Sequence, residues 1–285
     1  MKLWITGSKG MLGKDLCAMA KNDFEIFESD REIDITSEPA VWDFISKNKP
    51  GFIINCAAYT VVDNAETETE LNHKLNALGP EILGKCSAKA GTGIMHISTD
   101  YVLSGNAPTP LAETAPINPI NAYGKAKAKG EELLAKANPN HWIIRTAWLY
   151  GIHGKNFVKS MLNLMRTKEQ ISVVSDQLGN PTWTCDLAAA MLKIAENPKN
   201  PGIYHFTGEG IASWHEFATE IQKQAMDKKL LGQAIPILPI SSNEWKSPAK
   251  RPLWSALDKT KIKAAFEVQI PIWKNSLSKY LDLEG

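Results

Sequence analysis

The sequence predicts an α/β protein built on a doubly wound parallel sheet, with a second, smaller lobe at its C-terminal end. Three observations support this prediction. Short apolar segments alternate with longer amphipathic ones up to Tyr150, a glycine-rich loop follows the first apolar segment, and the alternation then stops. Alternating strand and helix patterns favour right-handed crossovers and a parallel sheet that is covered by helices on both faces.

The predicted strands are short, apolar or β-branched, and bounded by polar residues, glycine or proline, as buried parallel strands are. They cover residues 3–6, 25–27, 52–55, 94–98 and 142–145. The segments between them have helical length and spacing and cover residues 11–21, 39–47, 71–90 and 121–137. Pro39 suits the first turn of the second helix, with Thr36 or Ser37 as its cap.

The loop GSKGMLG at residues 7–13 joins the first predicted strand to the first helix. Gly7 permits a tight turn, Gly10 lets the main chain approach a pyrophosphate, and Gly13 allows close packing of helix on sheet. The helix N-terminus then offers N–H donors and the positive end of its dipole. Asp30 follows the second strand at close to the roughly 20-residue spacing expected for an acid that binds a ribose hydroxyl. The pattern predicts dinucleotide binding, and Arg31 leaves a 2′-phosphate possible.

Residues 1–150 are therefore predicted to be a Rossmann domain, and residues 151–285 a smaller substrate lobe. A helical pattern at residues 186–196 leads us to expect that residues 186–205 pack back onto the first domain. The last third has five prolines and no clear period, which predicts loops, short helices and few strands: Pro236, Pro239, Pro248, Pro252 and Pro271.

Composition excludes several classes of protein. Of 285 residues, 44% are hydrophobic, and 32 Lys and Arg balance 31 Asp and Glu to a net charge of +1. Disorder, nucleic-acid binding and binding to an anionic membrane are all disfavoured by this balance. The four cysteines form no C-x-x-C pair and fit neither a zinc site nor a disulfide framework. No apolar leader or 18-residue apolar run is found, so a cytoplasmic protein is expected.

Tyr123 and Lys127 form the candidate catalytic pair. Residues at i and i+4 share one face of a helix, so the phenol and the ammonium point into the same space. A nearby cation favours the phenolate and so lowers the pKa of a tyrosine from about 10, which helps proton exchange near neutral pH. Thr99 ends the fourth predicted strand, where ligands of open parallel sheets bind. The alternatives are a solvated lysine and a threonine that only caps a strand.

Several sequence strings resemble one family when they are taken together and in order. They are GSKGMLG (7–13), NCAAYT (55–60) with Asp63 and Glu66, HISTDYV (96–102), YGKAKAKGE (123–131), RTAW (145–148), Asn156-Phe157 and DQLGNPT (176–182). This combination resembles the dTDP-4-dehydrorhamnose reductases, which are extended short-chain dehydrogenase/reductases. The resemblance runs from residue 2 to about residue 215, with a weaker match at Lys250-Arg251-Pro252. Tyr59 and Leu103 depart from it, since many members carry His and Phe there.

The resemblance implies reduction of the C4 ketone of a dTDP-linked 4-ketosugar by NADPH or NADH, in dTDP-rhamnose and cell-surface polysaccharide biosynthesis. Tyr123 would donate the proton, Lys127 would bind the nicotinamide ribose, and Thr99 would complete the triad. Cofactor contacts are implied for Gly7, Gly10, Met11, Leu12, Gly13, Asp30, Asp34, Ile35, Ala58, Tyr59, Thr60, Ile97 and Ser98. Sugar contacts are implied for Asp100 and Trp148, and Arg251 could pair with the diphosphate. Trp148 could equally be a core residue, and Arg251 a surface charge.

The resemblance also implies a nucleotide-sugar ligand, a monomer or homodimer, and Mg²⁺ between subunits in some relatives, although the sequence shows no metal-ligand cluster. A dehydratase is disfavoured because Tyr101 stands where those enzymes carry Glu. Two alternatives stay open. One is a nucleotide-sugar 4-epimerase, and the other is a non-catalytic regulatory subunit that resembles the methionine adenosyltransferase β subunit.

Overall fold

The computed structural model describes residues 1–105 and 109–284. Its strands in chain order are β1 (Lys2–Thr6), β2 (Glu25–Ser29), β3 (Phe52–Asn55), β4 (Gly93–Thr99), β5 (His141–Thr146), β6 (Leu149–Tyr150), β7 (Ile171–Val174), β8 (Leu178–Gly179), β9 (Thr182–Trp183), β10 (Gly202–His205), β11 (Ala212–Ser213) and β12 (Ile237–Ile240).

The helices are α1 (Met11–Ala20), α2 (Glu38–Asn48), α3 (Thr69–His73), α4 (Gly79–Lys89), α5 (Ala122–Ala137), α6 (Phe157–Thr167), α7 (Thr184–Glu196), α8 (Trp214–Asp227), α9 (Thr260–Phe266) and α10 (Trp273–Asp282). A π-helical segment, Lys74–Leu78, joins α3 to α4, so the helix predicted at residues 71–90 is interrupted there. Short 3₁₀ turns cover Asn64–Glu66 and Asp100–Val102.

Six parallel strands form the central sheet in the order β10-β5-β4-β3-β1-β2. This arrangement confirms the predicted doubly wound fold. From β1 the chain first adds β2 on one side and then returns to add β3 on the other. The order therefore reverses between β1 and β3, and open α/β sheets bind ligands beyond the carboxyl ends of the strands at such a point.

Apolar side chains bury both faces of this sheet. On one face, α1, α7 and α9 pack through residues such as Leu16, Ile194 and Phe266. The other face is covered by α2, α4 and α5 through residues such as Ile45, Leu83 and Leu134. Parallel strands that are buried on both faces read as nearly continuous apolar runs, which is why the sequence located β1, β3, β4 and β5. Strand β10 was not predicted.

The C-terminal part has a core of its own, built mainly from α6, α8, α10 and β7. The prediction of loops and short helices for the last third is wrong for α8, which has 14 residues. Helix α6, which has 11 residues and precedes that third, was not predicted. The chain also returns to the first core, because β10 pairs with β5 and α7 packs against α1. A domain boundary near residue 150 stays a proposal.

Within the described ranges, none of the helices is both long enough and apolar enough to cross a bilayer.

Candidate active site

A cleft of about 620 Å³ opens at the carboxyl ends of the central strands. It runs from the glycine loop, past the end of β4, to the wall of the C-terminal core. Most of the predicted site residues line it: Gly7, Gly10, Met11, Leu12, Gly13, Ala58, Thr60, Ile97, Ser98, Thr99, Asp100, Tyr123, Lys127 and Trp148. The structure thus brings together the phosphate loop and the candidate catalytic group in a single cleft.

The glycine loop is shaped by contacts that a side chain would block. Gly7 has a φ of 65°, and a Cβ placed there would lie 2.6 Å from the backbone nitrogen of Ala57. A Cβ on Gly13 would overlap the carbonyl oxygen of Gly7. Gly10 precedes α1 and has no side chain to cap it, so the first N–H groups of α1 face the cleft without a capping oxygen. Such a helix end suits a phosphate group.

Tyr123 is presented by the first turn of α5. Asn121 caps this helix, because its side-chain oxygen accepts a hydrogen bond from the Gly124 amide at 2.7 Å. The Tyr123 ring is buried and meets Tyr101 edge to face, with centroids 5.9 Å apart. Burial, reinforced by the nearby Asp100 carboxyl, raises the pKa of the Tyr123 phenol. The phenol therefore keeps its proton near neutral pH, which is the form that a proton donor requires.

Lys127 is fully buried one turn along the same helix. Its Nζ donates to the carbonyl oxygen of Ile97 at 2.5 Å and lies 3.1 Å from Nε2 of His96. Burial lowers the pKa of Lys127 to about 8. The expectation that Lys127 lowers the pKa of Tyr123 is wrong, because the lysine is held by β4 and burial decides the pKa of the phenol.

Thr99 and Asp100 form a polar pair at the end of β4. The Thr99 hydroxyl donates to Oδ1 of Asp100 at 2.9 Å and accepts from the Tyr101 amide at 3.2 Å. The second carboxylate oxygen of Asp100 is buried and has no hydrogen-bond partner among the described residues. Burial raises the pKa of Asp100 to about 7. An unpartnered buried oxygen in a cleft is suited to receive a hydroxyl of a ligand.

Two stacked indoles form the opposite wall. Trp148 has a φ of 49°, which is unusual for a bulky residue. Its ring lies against Gly179, where a Cβ would come within 2.7 Å of Cε2. Trp214, from the start of α8, covers the Trp148 ring and also lines the cleft. This pair is an apolar surface on which a sugar ring could lie.

Three residues predicted near the adenosine half lie outside the lining of the cleft. Asp30 is half-buried just beyond β2, and its amide donates to Glu32 at 2.9 Å. Asp34 accepts from the amide and hydroxyl of Thr36, and these bonds lower its pKa. Ile35 is a buried core residue. Contact between these residues and a cofactor stays a prediction.

Two further predicted residues also lie outside the lining. The Tyr59 phenol donates to Glu68 at 3.0 Å, away from the glycine loop. Arg251 pairs with Oδ2 of Asp63 at 3.0 Å and donates to the carbonyl of Ala249 at 3.2 Å. The guanidinium is thus engaged within the protein, and its predicted contact with a diphosphate needs a test.

Sequence reasoning missed nine lining residues: Cys56, Val62, Tyr101, Thr146, Ala147, Leu149, Gly154, Lys155 and Trp214. Some had a visible signal. Thr146 ends β5, and Ala147 and Leu149 come directly after it, at the sheet edge where the cleft lies. Trp214 follows Ser213, which forms a capping box with Glu216 and marks the start of a helix.

No group of three or more His, Cys, Asp or Glu side chains in residues 1–105 and 109–284 could hold a metal ion. The described part of the chain gives no support for the Mg²⁺ that the resemblance implied.

A family model described as the RmlD substrate binding domain matches residues 1–284. The chain belongs to this RmlD family. A dTDP-4-dehydrorhamnose reductase of Aggregatibacter actinomycetemcomitans is 39% identical over 284 residues, covering 97% of each chain. The resemblance found in the sequence is thereby confirmed.

Solved structures of the RmlD family agree with this assignment. A dTDP-4-dehydrorhamnose reductase from Clostridium acetobutylicum is 41% identical, with a TM-score of 0.95 over 100% of this chain and 99% of that chain. A second such reductase, from Bacillus anthracis and in complex with NADP, is 35% identical, with a TM-score of 0.94 and the same coverage.

Proposed function

We propose that this protein reduces the C4 ketone of dTDP-4-dehydro-β-L-rhamnose to dTDP-L-rhamnose, using NADPH or NADH. The observation that carries the proposal is the meeting of Thr99, Tyr123 and Lys127 in one cleft with the glycine loop. The relatives named as dTDP-4-dehydrorhamnose reductases support it, because they match this chain over nearly its full length. The reaction would belong to dTDP-rhamnose biosynthesis.

The residues present fit a dinucleotide. The N-terminus of α1 has no side-chain cap, and Gly10 before it lines the cleft without a side chain, so a pyrophosphate could approach bare main chain there. Ser98, at the end of β4, has a buried hydroxyl without a partner among the described residues, which is free to bind a polar ligand atom. When bound, the reduced nicotinamide would supply hydride. The complex of the Bacillus anthracis relative with NADP supports a cofactor that carries the 2′-phosphate.

The protein's own residues would handle the proton and the orientation of the sugar. The neutral Tyr123 phenol can give its proton to the ketone oxygen as negative charge develops there. Lys127, one turn away, would bind ribose hydroxyls, and the Thr99–Asp100 pair would hold the ketone side of the sugar. The Trp148 and Trp214 indoles would bind the apolar face of the deoxysugar.

The test measures oxidation of NADPH and of NADH, by absorbance, with dTDP-4-dehydrorhamnose and with UDP- and GDP-linked ketosugars. We expect turnover with the dTDP-linked ketone and its loss in Tyr123→Phe. A 4-epimerase would interconvert nucleotide sugars without net consumption of cofactor. A regulatory subunit would turn over none of these compounds and would co-purify with a catalytic partner. Either result overturns the proposal.

A further inference from the structure

A chain of buried polar side chains leads from beneath the cleft to Lys127, and its members other than Lys127 have no part in the proposed reaction. It links Thr6 on β1, Asn55 on β3, His96 on β4 and Lys127 on α5. All four side chains are at most 1% exposed. Because side chains this deeply buried have almost no contact with solvent, each donor is expected to face an acceptor within the protein, and the arrangement of hydrogens can be worked out from the contacts.

The orientation of the Asn55 amide is fixed first. Its Oδ1 lies 3.0 Å from the backbone N–H of Ala57, which can only donate, and 2.7 Å from the hydroxyl of Thr6. Oδ1 is therefore the acceptor on that side. The Nδ2 of Asn55, on the other side, lies 3.0 Å from Nδ1 of His96. An amide nitrogen is a donor only, so Nδ1 of His96 must accept.

This orientation fixes the tautomer of His96. A neutral imidazole whose Nδ1 accepts carries its proton on Nε2. That Nε2–H lies 3.1 Å from Nζ of Lys127. An ammonium has donors only, so two donors would face each other there, whereas a neutral amine can accept with its lone pair. We propose that His96 is a positioning residue that, through the tautomer imposed by Asn55, holds Lys127 in the neutral amine form.

The surroundings of Lys127 agree with a neutral amine above about pH 8, because burial lowers its pKa to about 8. The other titratable groups near it are Cys56, Glu131 and Tyr123. Glu131 is already paired with the guanidinium of Arg145, with contacts of 2.7 and 2.9 Å. Burial raises the pKa of the Cys56 thiol and of the Tyr123 phenol, so neither offers a negative charge near neutral pH. Burial also lowers the pKa of His96 well below its usual range, which keeps the ring neutral.

Cofactor binding then becomes linked to a proton, a consequence that rests on the proposed function. A polyanionic dinucleotide in the cleft favours the ammonium form of Lys127, and ribose hydroxyls can accept from it in place of the contact with His96. Because the free protein holds the amine neutral, binding should take up a proton from solution. A protein in which Lys127 is already charged would take up none.

The first experiment measures the tautomer of His96 in the ligand-free protein by ¹⁵N–¹H correlation of the imidazole ring, with His96→Gln to assign the signal. We expect the Nε2–H tautomer, with Nδ1 at the high nitrogen shift of a lone-pair nitrogen. An Nδ1–H tautomer, or a doubly protonated ring, would overturn the proposal. This measurement needs no substrate, so a failure of the proposed reaction does not affect it.

The second experiment uses Asn55→Asp, which keeps the shape of the side chain and turns the donor to His96 into an acceptor. The ring should then carry its proton on Nδ1 and accept from a charged Lys127. Thr6→Val is the matched control, because the Ala57 amide still fixes the orientation of Asn55. The tautomer should reverse in Asn55→Asp and stay unchanged in Thr6→Val. If Asn55→Asp does not fold, the tautomer of His96 measured in the unaltered protein still tests the proposal.

Calorimetric titration with NADPH at pH 8.5, in two buffers of different ionisation enthalpy, counts the protons taken up. The unaltered protein and Thr6→Val should each take up about one proton per cofactor. Asn55→Asp and Lys127→Met should take up almost none. Equal uptake in Asn55→Asp and the unaltered protein would overturn the proposal, as would the absence of uptake in the unaltered protein.

Discussion

The indole of Trp214 lies flat on the indole of Trp148, with ring centroids 3.5 Å apart and planes 9° from parallel. The two residues lie far apart in sequence, one just beyond β5 and the other at the start of α8. Trp148 adopts a left-handed backbone conformation that costs of order 1 kcal/mol for a residue of its size. Stacking on Trp214 helps to offset that cost and fixes the face that Trp148 turns to the cleft.

Trp214→Ala should weaken sugar binding without affecting the cofactor. Loss of the stack frees Trp148 and removes part of the apolar wall, so we expect KM for the nucleotide sugar to rise about tenfold. Steady-state kinetics at saturating NADPH measure this change. Trp214→Phe is the matched control, because it keeps an aromatic ring over Trp148 and should therefore raise KM less than Trp214→Ala does. An unchanged KM in Trp214→Ala would show that the stack has no part in substrate binding.

Tyr123→Phe should abolish most of the turnover. The change removes the proposed acid and almost no contact area, so kcat should fall on the order of 100-fold to 10,000-fold. NADPH affinity, followed by fluorescence titration, should stay close to normal. Tyr150→Phe is the control, since it removes another buried phenol that has no hydrogen-bond partner among the described residues and does not line the cleft. A kcat that survives in Tyr123→Phe would exclude the assigned role.

Asp100→Asn should stabilise the protein at high pH more than at low pH. Burial raises the pKa of Asp100 from 3.8 to about 7, so the folded state binds this proton more tightly than the unfolded chain. Stability from the protonated carboxyl is therefore lost as pH rises from about 4 to about 7. Asparagine does not ionise. The free energy of unfolding of Asp100→Asn should therefore exceed that of the unaltered protein by an amount that grows over this window to at most roughly 4 kcal/mol. Melting temperatures between pH 4 and pH 8 test this, and a pH-independent difference would contradict it.

Arg251→Ala and Asp63→Ala separate a structural role of the guanidinium from a role in binding the diphosphate. If the ion pair between Arg251 and Asp63, at 3.0 Å, only anchors the segment around Arg251, each variant should lose about 1 kcal/mol of unfolding free energy. Its KM should then stay close to that of the unaltered protein. If Arg251 also binds substrate, its loss alone should raise KM for the nucleotide sugar severalfold. Denaturant unfolding and kinetics of both variants decide between these outcomes, and we expect the second.

Asp30→Ala should weaken the binding of NADH more than the binding of NADPH. A carboxylate beyond β2 can accept from a ribose 2′-hydroxyl but repels a 2′-phosphate, so its loss removes a contact for one cofactor and a repulsion for the other. Dissociation constants for the two cofactors measure the effect, with Asp34→Ala for comparison. Equal changes in both constants would mean that Asp30 does not contact the adenosine ribose.

Much of this architecture could be predicted from the sequence because it depends on local signals. Buried strands such as β3, with sequence FIIN, are fully apolar until their last residue, and the glycines of the loop are required by the close approach of main chain. The i, i+4 spacing of Tyr123 and Lys127 placed both in the cleft. Helices α6 and α8 also carried signals, since Asn156 and Ser213 cap them. Their apolar faces were overlooked among nearby glycines and prolines.

What could not be predicted depends on contacts between distant segments. The pairing of Arg251 with Asp63 joins residues far apart in sequence, and nothing local marks it. The environment of Lys127 is of the same kind. Helical spacing placed the lysine beside Tyr123, but β4 supplies the carbonyl and the imidazole that hold it. The direction of the pKa shift at Tyr123 follows from burial, which spacing along a helix does not reveal.

The pairing of β10 with β5 has a consequence for how this protein could be re-engineered. A chain that stopped near residue 150 would leave the hydrogen-bonding groups of β5 uncovered, and an exposed apolar strand edge invites aggregation. A chimera of two relatives that is joined near residue 150 would therefore combine β5 of one protein with β10 of the other. Chimeras should instead exchange loops around the cleft and keep the segment that carries α7 and β10 with its original sheet.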